Sequence, residues 1–501
     1  MRLVVASNRL PIVIDRHDGA RRIVPGTGGL ATALAPILRD RGGLWIGWPG
    51  ALEGDEPDLE ALLADGATQA GYTLKPVMLT QAERDQFYHG FSNEIVWPLF
   101  HDLQSRCNFD PSYWSGYGAV NRKFAQVIRE NVGRDEFVWV HDYHLMCVGQ
   151  ALREGRWSGR IGFFLHIPFP SLDIYAKLPW RMQLLRAMLA YDAVGFQTER
   201  DRRNFMHCVR TLLGDVSTAR EGERGIVRVG ERRVRAGAYP ISIDYQQFAQ
   251  LADEPEVAER ADRLRRDMPC PRIILGLDRL DYTKGIPFRM HAFRNALARY
   301  PDLQRQVSLV QVVVPSREDI PMYQNLKAEI EGLVGQINGQ YTQSGWVPVH
   351  YLYRSLDRPE LAAYYRCADV GLITPLKDGM NLVAKEYCAC SIDNDSVLIL
   401  SEFAGAADEL GRGALLVNPY DIEGVADAIH RAVTMSDDER RARMRRLRRT
   451  IRRHDIFAWV NEFLRESIST EPEHFTPIER QPVAREREAA LAWSASLGAA
   501  D

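Results

Sequence analysis

The run Ala368-Asp369-Val370-Gly371-Leu372-Ile373-Thr374-Pro375 leads, through Leu376, into Lys377-Asp378-Gly379-Met380-Asn381-Leu382-Val383-Ala384-Lys385-Glu386. The first part reads as a short buried strand closed by proline. Gly379 suits a tight turn, Asn381 suits an N-cap, and Leu382 to Tyr387 has helical composition. A strand, turn and helix in that order aim free backbone N–H groups beyond the strand's C-terminal end, which is where open α/β sheets bind ligands. Asp378 on the turn and Glu386 in the helix add carboxylates, and a carboxylate accepts hydrogen bonds from two sugar or ribose hydroxyls. An ordinary strand-to-helix connection has the same pattern, so the reading needs support from elsewhere in the chain.

That support lies upstream, in Arg272-Ile273-Ile274-Leu275-Gly276-Leu277-Asp278-Arg279-Leu280-Asp281-Tyr282-Thr283-Lys284-Gly285. It is another apolar strand running into a polar loop. Arg279 and Lys284 leave its end together, and an arginine fork beside a lysine point charge suits a diphosphate. The alternative is a pair of surface cations neutralised by Asp278 and Asp281.

With these segments in view, the chain resembles a retaining glycosyltransferase of the trehalose-6-phosphate synthase family. Further matching segments are Ser7-Asn8-Arg9, Gly28-Gly29-Leu30, Leu44-Trp45-Ile46-Gly47-Trp48, Phe91-Ser92-Asn93 with Trp97-Pro98, and His141-Asp142-Tyr143-His144. His166-Ile167-Pro168-Phe169-Pro170 and Ser316-Arg317 follow. Each is weak alone, but their number and order are specific, and the match covers about residues 1–465.

The resemblance implies an α/β protein of GT-B architecture: two doubly wound, parallel-sheet, Rossmann-like domains facing across a cleft. The expected division is an acceptor-binding domain over 1–240 and a nucleotide-sugar-binding domain over 241–455. A helix over 456–468 crosses back to the first domain, and a tail occupies 469–501. The implied reaction moves glucose from UDP-glucose, or another nucleotide-diphosphate glucose, to glucose 6-phosphate with retention. The product is α,α-trehalose 6-phosphate. Retention by way of a carboxylate nucleophile would need a pair of carboxylates, and none is evident. The resemblance implies instead a front-face substitution in which the leaving phosphate accepts the acceptor's proton. Two alternatives stay open: a glucosylglycerol-phosphate synthase, with glycerol 3-phosphate as acceptor, and an inactive sugar-phosphate-binding regulator.

Composition narrows the classes. A chain of 501 residues with 46% hydrophobic and 26% charged residues suits two or three soluble domains. Sixty-three basic residues against 66 acidic ones give no global field for nucleic acid or membrane, so local cations must hold any anionic ligand. Seven cysteines without framework spacing argue for a reducing compartment, and the few apolar residues before Ser7 are too short for a signal peptide. The expectation is a cytoplasmic enzyme without cofactor or metal. Its partners are small-molecule substrates, neither nucleic acid nor membrane is among them, and a homo-oligomer is left open.

Along the chain, strands are expected at Arg2–Ala6, Leu44–Trp48, Phe137–Val140, Ile161–Leu165 and Tyr191–Phe196, with residues 15–27 as a loop. A second series is expected at Ile273, Val307–Val313, Val349–Leu352, Val370–Thr374, Val397–Leu400 and Ala414–Val417. The nine arginines of Glu439–Arg453 tempt a nucleic-acid reading. Met444, Leu447 and Ile451 fall at helical spacing, which favours the solvated face of an amphipathic helix.

A phosphorylated acceptor needs cations, here Arg9 and Arg317, a further donor such as Tyr88, and a carboxylate for ring hydroxyls such as Asp142. The resemblance assigns those four to glucose 6-phosphate. Trp97 and Trp45 are either flat walls for a sugar or core aromatics. His141 and His144 form an H-x-x-H without further ligands, which is poor evidence for zinc. The resemblance places His166 against the donor sugar, the alternative being a buried histidine satisfied by backbone. Gly28 and Gly29 open a helix whose N–H groups suit the diphosphate, with Arg279 and Lys284 as its cations. In the implied donor site Glu386 grips the ribose, and the run Asp378, Gly379, Met380, Asn381, Leu382, Val383, Ala384, Lys385 surrounds the sugar. The catalytic set is His166, Arg279, Lys284 and Asp378. Two departures from the family stand out. The loop between Arg9 and Gly28 is longer and more charged, and Leu356 stands where relatives carry phenylalanine near the nucleobase.

Overall fold

The computed structural model describes residues 2–17, 20–26, 29–55, 58–268, 270–316, 320–468 and 478. The chain divides into two units, the first made of residues 1–239 with 457–501 and the second of residues 240–456.

The first unit is built on β1 (Leu3–Arg9), β4 (Leu44–Trp48), β5 (Thr73–Pro76), β6 (Phe137–His141), β7 (Ile161–Phe164), β8 (Ala193–Phe196), β9 (Ser217–Glu221), β10 (Arg224–Val229) and β11 (Arg232–Ala238). They lie in the order β5-β4-β1-β6-β7-β8-β11-β10-β9. From β5 to β11 the pairing is parallel, and β9 and β10 add an antiparallel edge. β1 and β6 are buried along almost their whole length, as central strands of a parallel sheet are. Asp192 anchors the start of β7: its carboxylate takes Ile161 N–H at 2.8 Å and a two-pronged contact from Arg153.

The second unit holds β12 (Arg272–Arg279), β13 (Val307–Val314), β14 (Val349–Tyr353), β15 (Val370–Ile373), β16 (Val397–Ser401) and β17 (Leu415–Val417). Their order is β14-β13-β12-β15-β16-β17 and every pairing is parallel. Numbered within the unit this is 3-2-1-4-5-6, the doubly wound nucleotide-binding order. Asp369 does here what Asp192 does in the first sheet, accepting Ile273 N–H at 2.8 Å and pairing with Arg265 and Arg272 at 3.0 Å. The fold class is the α/β, two-domain, doubly wound GT-B class.

Three features differ from the sequence reading. Residues 15–27 were expected as a loop, but β2 (Ile12–His17) and β3 (Ala20–Pro25) pair antiparallel, with Ile12 opposite Pro25 and His17 opposite Ala20. The alternating Ile12, Ile14 and Ile23, Pro25 positions and the hairpin-forming Asp18-Gly19 dipeptide outweigh the charge that suggested a loop. Asp18 and Gly19 themselves lie outside the described residues. Residues Arg84–Val96 form a wide π-type helix, for which period-3.6 reasoning has no signal. It is entered through a capping box in which Thr80 and Glu83 exchange side-chain and backbone hydrogen bonds. The third is the antiparallel β9–β10 ribbon, absent from the expected run of parallel strands.

Helix Asp437–Arg453 buries Met444, Leu447 and Ile451. Two of its arginines are not on the solvated face. Arg440 is buried against Asp395 and Asp437, and Arg448 donates to the carbonyls of Ser391 and Ile392. Cys388 and Cys390 are core residues.

Within helix Ile456–Ile468, Trp459 and Phe463 belong to the first unit. Phe463 is fully buried and stacks on Trp139 with ring centroids 4.5 Å apart and planes 7° from parallel. Gly162 and Gly195 make the groove for it: a Cβ on either would come within 3.2 or 2.8 Å of that ring. Trp459 donates from Nε1 to Tyr239 O at 3.1 Å. Phe463→Ala is therefore expected to destabilise the first unit by about 3–5 kcal/mol, the range for deleting a buried aromatic ring. Urea denaturation followed by tryptophan fluorescence checks this, since Trp139 reports on the stack.

Candidate active site

In each sheet two neighbouring parallel strands send their chains off to opposite sides: β12 and β15 in the second unit, β1 and β6 in the first. A crevice opens outside such a pair of C-terminal ends.

In the second unit the two strand-end loops are tied together. Asp281 caps the turn Tyr282–Lys284, taking Thr283 N–H at 3.0 Å and its hydroxyl at 2.8 Å. Gly285 has φ 65°, and a Cβ there would sit 2.7 Å from Thr374 O, so the loop after β12 closes on the end of β15 only with glycine. Leu376 N–H then donates to Thr283 O at 2.8 Å. Across this junction Lys284 Nζ donates to Asp378 Oδ2 at 2.5 Å, with both side chains largely buried.

The same Asp378 oxygen accepts Asn381 Nδ2 at 3.1 Å. Asn381 caps helix Leu382–Cys390, its Oδ1 taking Ala384 N–H at 3.1 Å, and it carries the left-handed backbone of the turn, φ 84°. Asparagine tolerates that region better than other L side chains. The loop is pinned from the far side by Asp378 N–H to Phe403 O, Gly405 N–H to Asp378 O and Ala406 N–H to Met380 O. Lys284, Asp378 and Asn381 thus form one bonded cluster at the mouth of the sheet. The half-buried Leu382 and Val383 carry first-turn amides of the helix.

The two aspartates that competed for Arg279 and Lys284 are used elsewhere. Asp278 turns inward to a fully buried contact with Arg289 at 2.7 Å, and Asp281 is the cap. Arg279, exposed at the last position of β12, makes no ion pair with a described residue. Glu386 accepts Tyr365 Oη–H on Oε2 at 2.8 Å. Desolvation holds its carboxyl above the usual range, partly opposed by that hydrogen bond and by the Arg358 charge.

Not every residue of the expected donor run faces a ligand with its side chain. Lys385 is fully enclosed, giving Nζ to Ile241 O at 2.8 Å and Glu409 at 2.6 Å. Met380 and Ala384 are packed inside, which leaves these three only their main chain to offer. Leu356 is half-buried just before the helix cap Asp357. Gly29 is the first residue of helix Gly29–Arg41, whereas Gly28 and Arg317 lie outside the described residues.

In the first unit Arg9 is the last residue of β1. Its guanidinium lies 4.3 Å over Trp48 and fills the space where Gly50, φ 100°, would carry a Cβ, 2.4 Å from Nη1. Desolvation lowers its pKa, against a raising contribution from Tyr88. Tyr88 meets Trp48 edge-on at 5.8 Å and stacks on His144 at 5.9 Å. Asp142 follows β6 with φ 74°, and its Oδ1 accepts His166 N–H at 3.2 Å. Trp97 is enclosed beside His101 and Tyr143. Trp45 is a core residue donating to Ser7 Oγ at 2.8 Å, which resolves the choice between wall and core for that side chain.

His166 is satisfied by side chains rather than backbone. Gln197 Nε2 lies 3.3 Å from its Nδ1, and its Nε2 lies 3.0 Å from His141 Nδ1. An amide N–H can only donate, so His166 carries its proton on Nε2 and passes a hydrogen bond to His141. Burial pushes the His166 pKa down to about 3 and that of His141 well down as well. Both rings are neutral at physiological pH, so His166 acts there as a fixed polar group. Gly50, Gln197 and Tyr365 escaped the sequence reading, and Trp48 entered it only as part of a matching segment, because each acts on a partner distant in sequence or through space left empty.

Among the described residues no group of three His, Cys, Asp or Glu converges as a metal site, and no helix is long and apolar enough to cross a membrane.

This is the build of a sugar-nucleotide-dependent transferase, and comparison with known proteins makes the class specific. The model of glycosyltransferase family 20 matches residues 1–468. The chain is 44% identical over 467 residues to the trehalose-6-phosphate synthase of Mycobacterium avium, covering 92% of this chain and 94% of that protein. Among solved structures it is similar to a UDP-forming α,α-trehalose-phosphate synthase from Burkholderia xenovorans in complex with glucose-6-phosphate. That likeness has TM-score 0.84 and 35% identity, covering 93% of this chain and all of the other. It is also similar to an E. coli structure with bound UDP-2-fluoro glucose, with TM-score 0.82 and 36% identity over 95% of this chain and all of the other. The chain belongs to glycosyltransferase family 20.

The neutral histidine pair has a measurable consequence. The unfolded chain protonates His166 near pH 6.5 and the folded state resists protonation down to about 3. The contribution is therefore fully present above pH 6.5 and is lost as pH falls through that window. The urea midpoint should drop as pH is lowered from about 6.5 toward 4, and His166→Gln should flatten the slope.

Proposed function

We propose that this chain transfers glucose from UDP-glucose to glucose 6-phosphate with retention, giving α,α-trehalose 6-phosphate and UDP. The observation that carries the reading is the Lys284–Asp378–Asn381 cluster, with Arg279 at the end of β12, at the switch point of the second sheet. Cations for a diphosphate and a carboxylate for sugar hydroxyls stand there side by side. The glucose-6-phosphate and UDP-2-fluoro glucose bound in similar enzymes support the choice of substrates.

The donor belongs to the second unit. Arg279 and Lys284 take the diphosphate, the turn Asp378 to Asn381 takes the glucose hydroxyls, and Glu386 takes the ribose. The acceptor belongs to the first unit. Arg9 and Tyr88 take its phosphate, Asp142 takes ring hydroxyls, and Trp97 backs the site. The bond between the acceptor's anomeric oxygen and donor C1 forms as the bond from C1 to the phosphate oxygen breaks. The acceptor's proton passes to that phosphate oxygen. A ring held neutral down to about pH 3 is no general acid, which leaves His166 a fixed polar group rather than a proton donor. The protein's contribution is positioning, and stabilisation of the charge that grows on the diphosphate. Seven free cysteines support a cytoplasmic setting for the enzyme.

The deciding experiment is product detection with UDP-, GDP- and ADP-glucose, each against glucose 6-phosphate and glycerol 3-phosphate. Trehalose 6-phosphate from the UDP-glucose and glucose 6-phosphate pair is the expected product, formed at undiminished rate in EDTA. A product only with glycerol 3-phosphate, or none at all, defeats the reading.

Lys284→Ala tests the charge argument. Breaking the donor bond adds negative charge at the leaving phosphate, so a lysine in contact with it favours the transition state over bound substrate. Turnover should fall about 10²–10³-fold, as for loss of one preorganised donor, with a smaller loss of UDP-glucose affinity by calorimetry.

A further inference from the structure

Glu386, a carboxylate of the proposed donor site, is held by a residue outside that site. Helix Arg358–Cys367 lies beside helix Leu382–Cys390, and its Tyr365 is 1% exposed. The Tyr365 ring meets Tyr387 edge-on at 6.4 Å, and its hydroxyl donates to Glu386 Oε2 at 2.8 Å. Glu386 Oε1 makes no hydrogen bond with a described residue.

We infer that Tyr365 is a positioning residue for nucleotide recognition: by occupying one oxygen of Glu386 it fixes the carboxylate with the other turned to the ribose hydroxyls of the donor. This rests on the reading of Glu386 as the ribose-binding carboxylate. A glutamate on a helix has three rotatable bonds and loses that freedom on binding unless it is already ordered. A tyrosine has a rigid ring, and burial leaves its hydroxyl one place to go, so the carboxylate is set before the donor arrives. The surroundings make the bond matter further. Burial disfavours the ionised carboxylate, and the titratable and charged groups facing it among the described residues are Arg358 and the neutral Tyr365 from the neighbouring helix and the neutral Cys390 from its own, with Asp278 acting on Tyr365. Without the Tyr365 hydroxyl, Glu386 would be both looser and harder to ionise.

Tyr365→Phe keeps the buried ring and removes only the donor. Steady-state kinetics of wild type, Tyr365→Phe and Glu386→Gln, with UDP-glucose and with its 2′-deoxyribose analogue, form the test. In Tyr365→Phe the KM for UDP-glucose should rise about tenfold, as for loss of a hydrogen bond to a charged group, with kcat within about twofold. The preference for ribose over 2′-deoxyribose should shrink by the same factor, and the acid limb of the KM profile should move to higher pH. An equal rise in KM for both donors, an unmoved preference, or a loss confined to kcat overturns the inference. If Glu386→Gln leaves the ribose preference intact, the assignment of Glu386 fails by itself. If Glu386→Gln abolishes the preference and Tyr365→Phe does not, only the role of Tyr365 is wrong.

Discussion

Everything at the candidate site hangs on a topological constraint: β12 and β15 are hydrogen-bonded neighbours whose chains leave the sheet toward opposite faces. Their ends must part, and backbone groups at the parting have no ladder partner. The structure fills the gap with specific contacts. Gly285 lets one loop approach Thr374 O, Leu376 N–H reaches across to Thr283 O, and the Lys284–Asp378 ion pair closes the bridge. The first sheet meets the same constraint between β1 and β6, where Arg9 and Asp142 stand at the two ends and Asp142 adopts a left-handed backbone to turn away.

The charges fall into two groups that look alike in the sequence. Arg289 with Asp278 and Lys385 with Glu409 are buried pairs, held further by hydrogen bonds that Arg289 donates to Thr374 Oγ1 and Gln311 Oε1 and Lys385 donates to Ile241 O. Such pairs offset their own desolvation and add little net stability, yet loss of one partner is costly. Arg9 and Arg279 have no such carboxylate partner among the described residues, Arg9 being supported by the face of Trp48 and Arg279 standing at a strand end. Lys284 is between the two groups: its partner Asp378 is itself a proposed ligand group, so bound donor would redistribute the contacts of both.

Much of the fold is legible in the chain because buried parallel strands are continuous apolar runs. All six strands of the second unit fall where such runs stand, and Asn381 is the helix cap its position suggested. The hairpin of β2 and β3 was lost to its own charges, and the wide helix Arg84–Val96 has no period of its own to detect. The cluster Lys284, Asp378 and Asn381 was legible as residue types at two strand ends. That Asp281 would cap a turn, or that Asp278 would face Arg289, was not, since either aspartate could have reached a neighbouring cation. Tyr365 on Glu386 and Gln197 on His166 are contacts between residues 21 and 31 positions apart, invisible to any local pattern.

The seat of Phe463 between Gly162, Gly195 and Trp139 bears on the order in which the chain can be assembled during synthesis. The first unit begins at the N-terminus but is interrupted at Tyr239, and its aromatic plug arrives only after Phe457. As the polypeptide emerges, the 240–456 unit therefore has its full complement of strands before the earlier one can close. Through that interval the face of Trp139 lacks its cover. The N-terminal half is translated first and finished last, which makes the exposed groove around β6, β7 and β8 the natural point of contact for a folding helper or of misassembly.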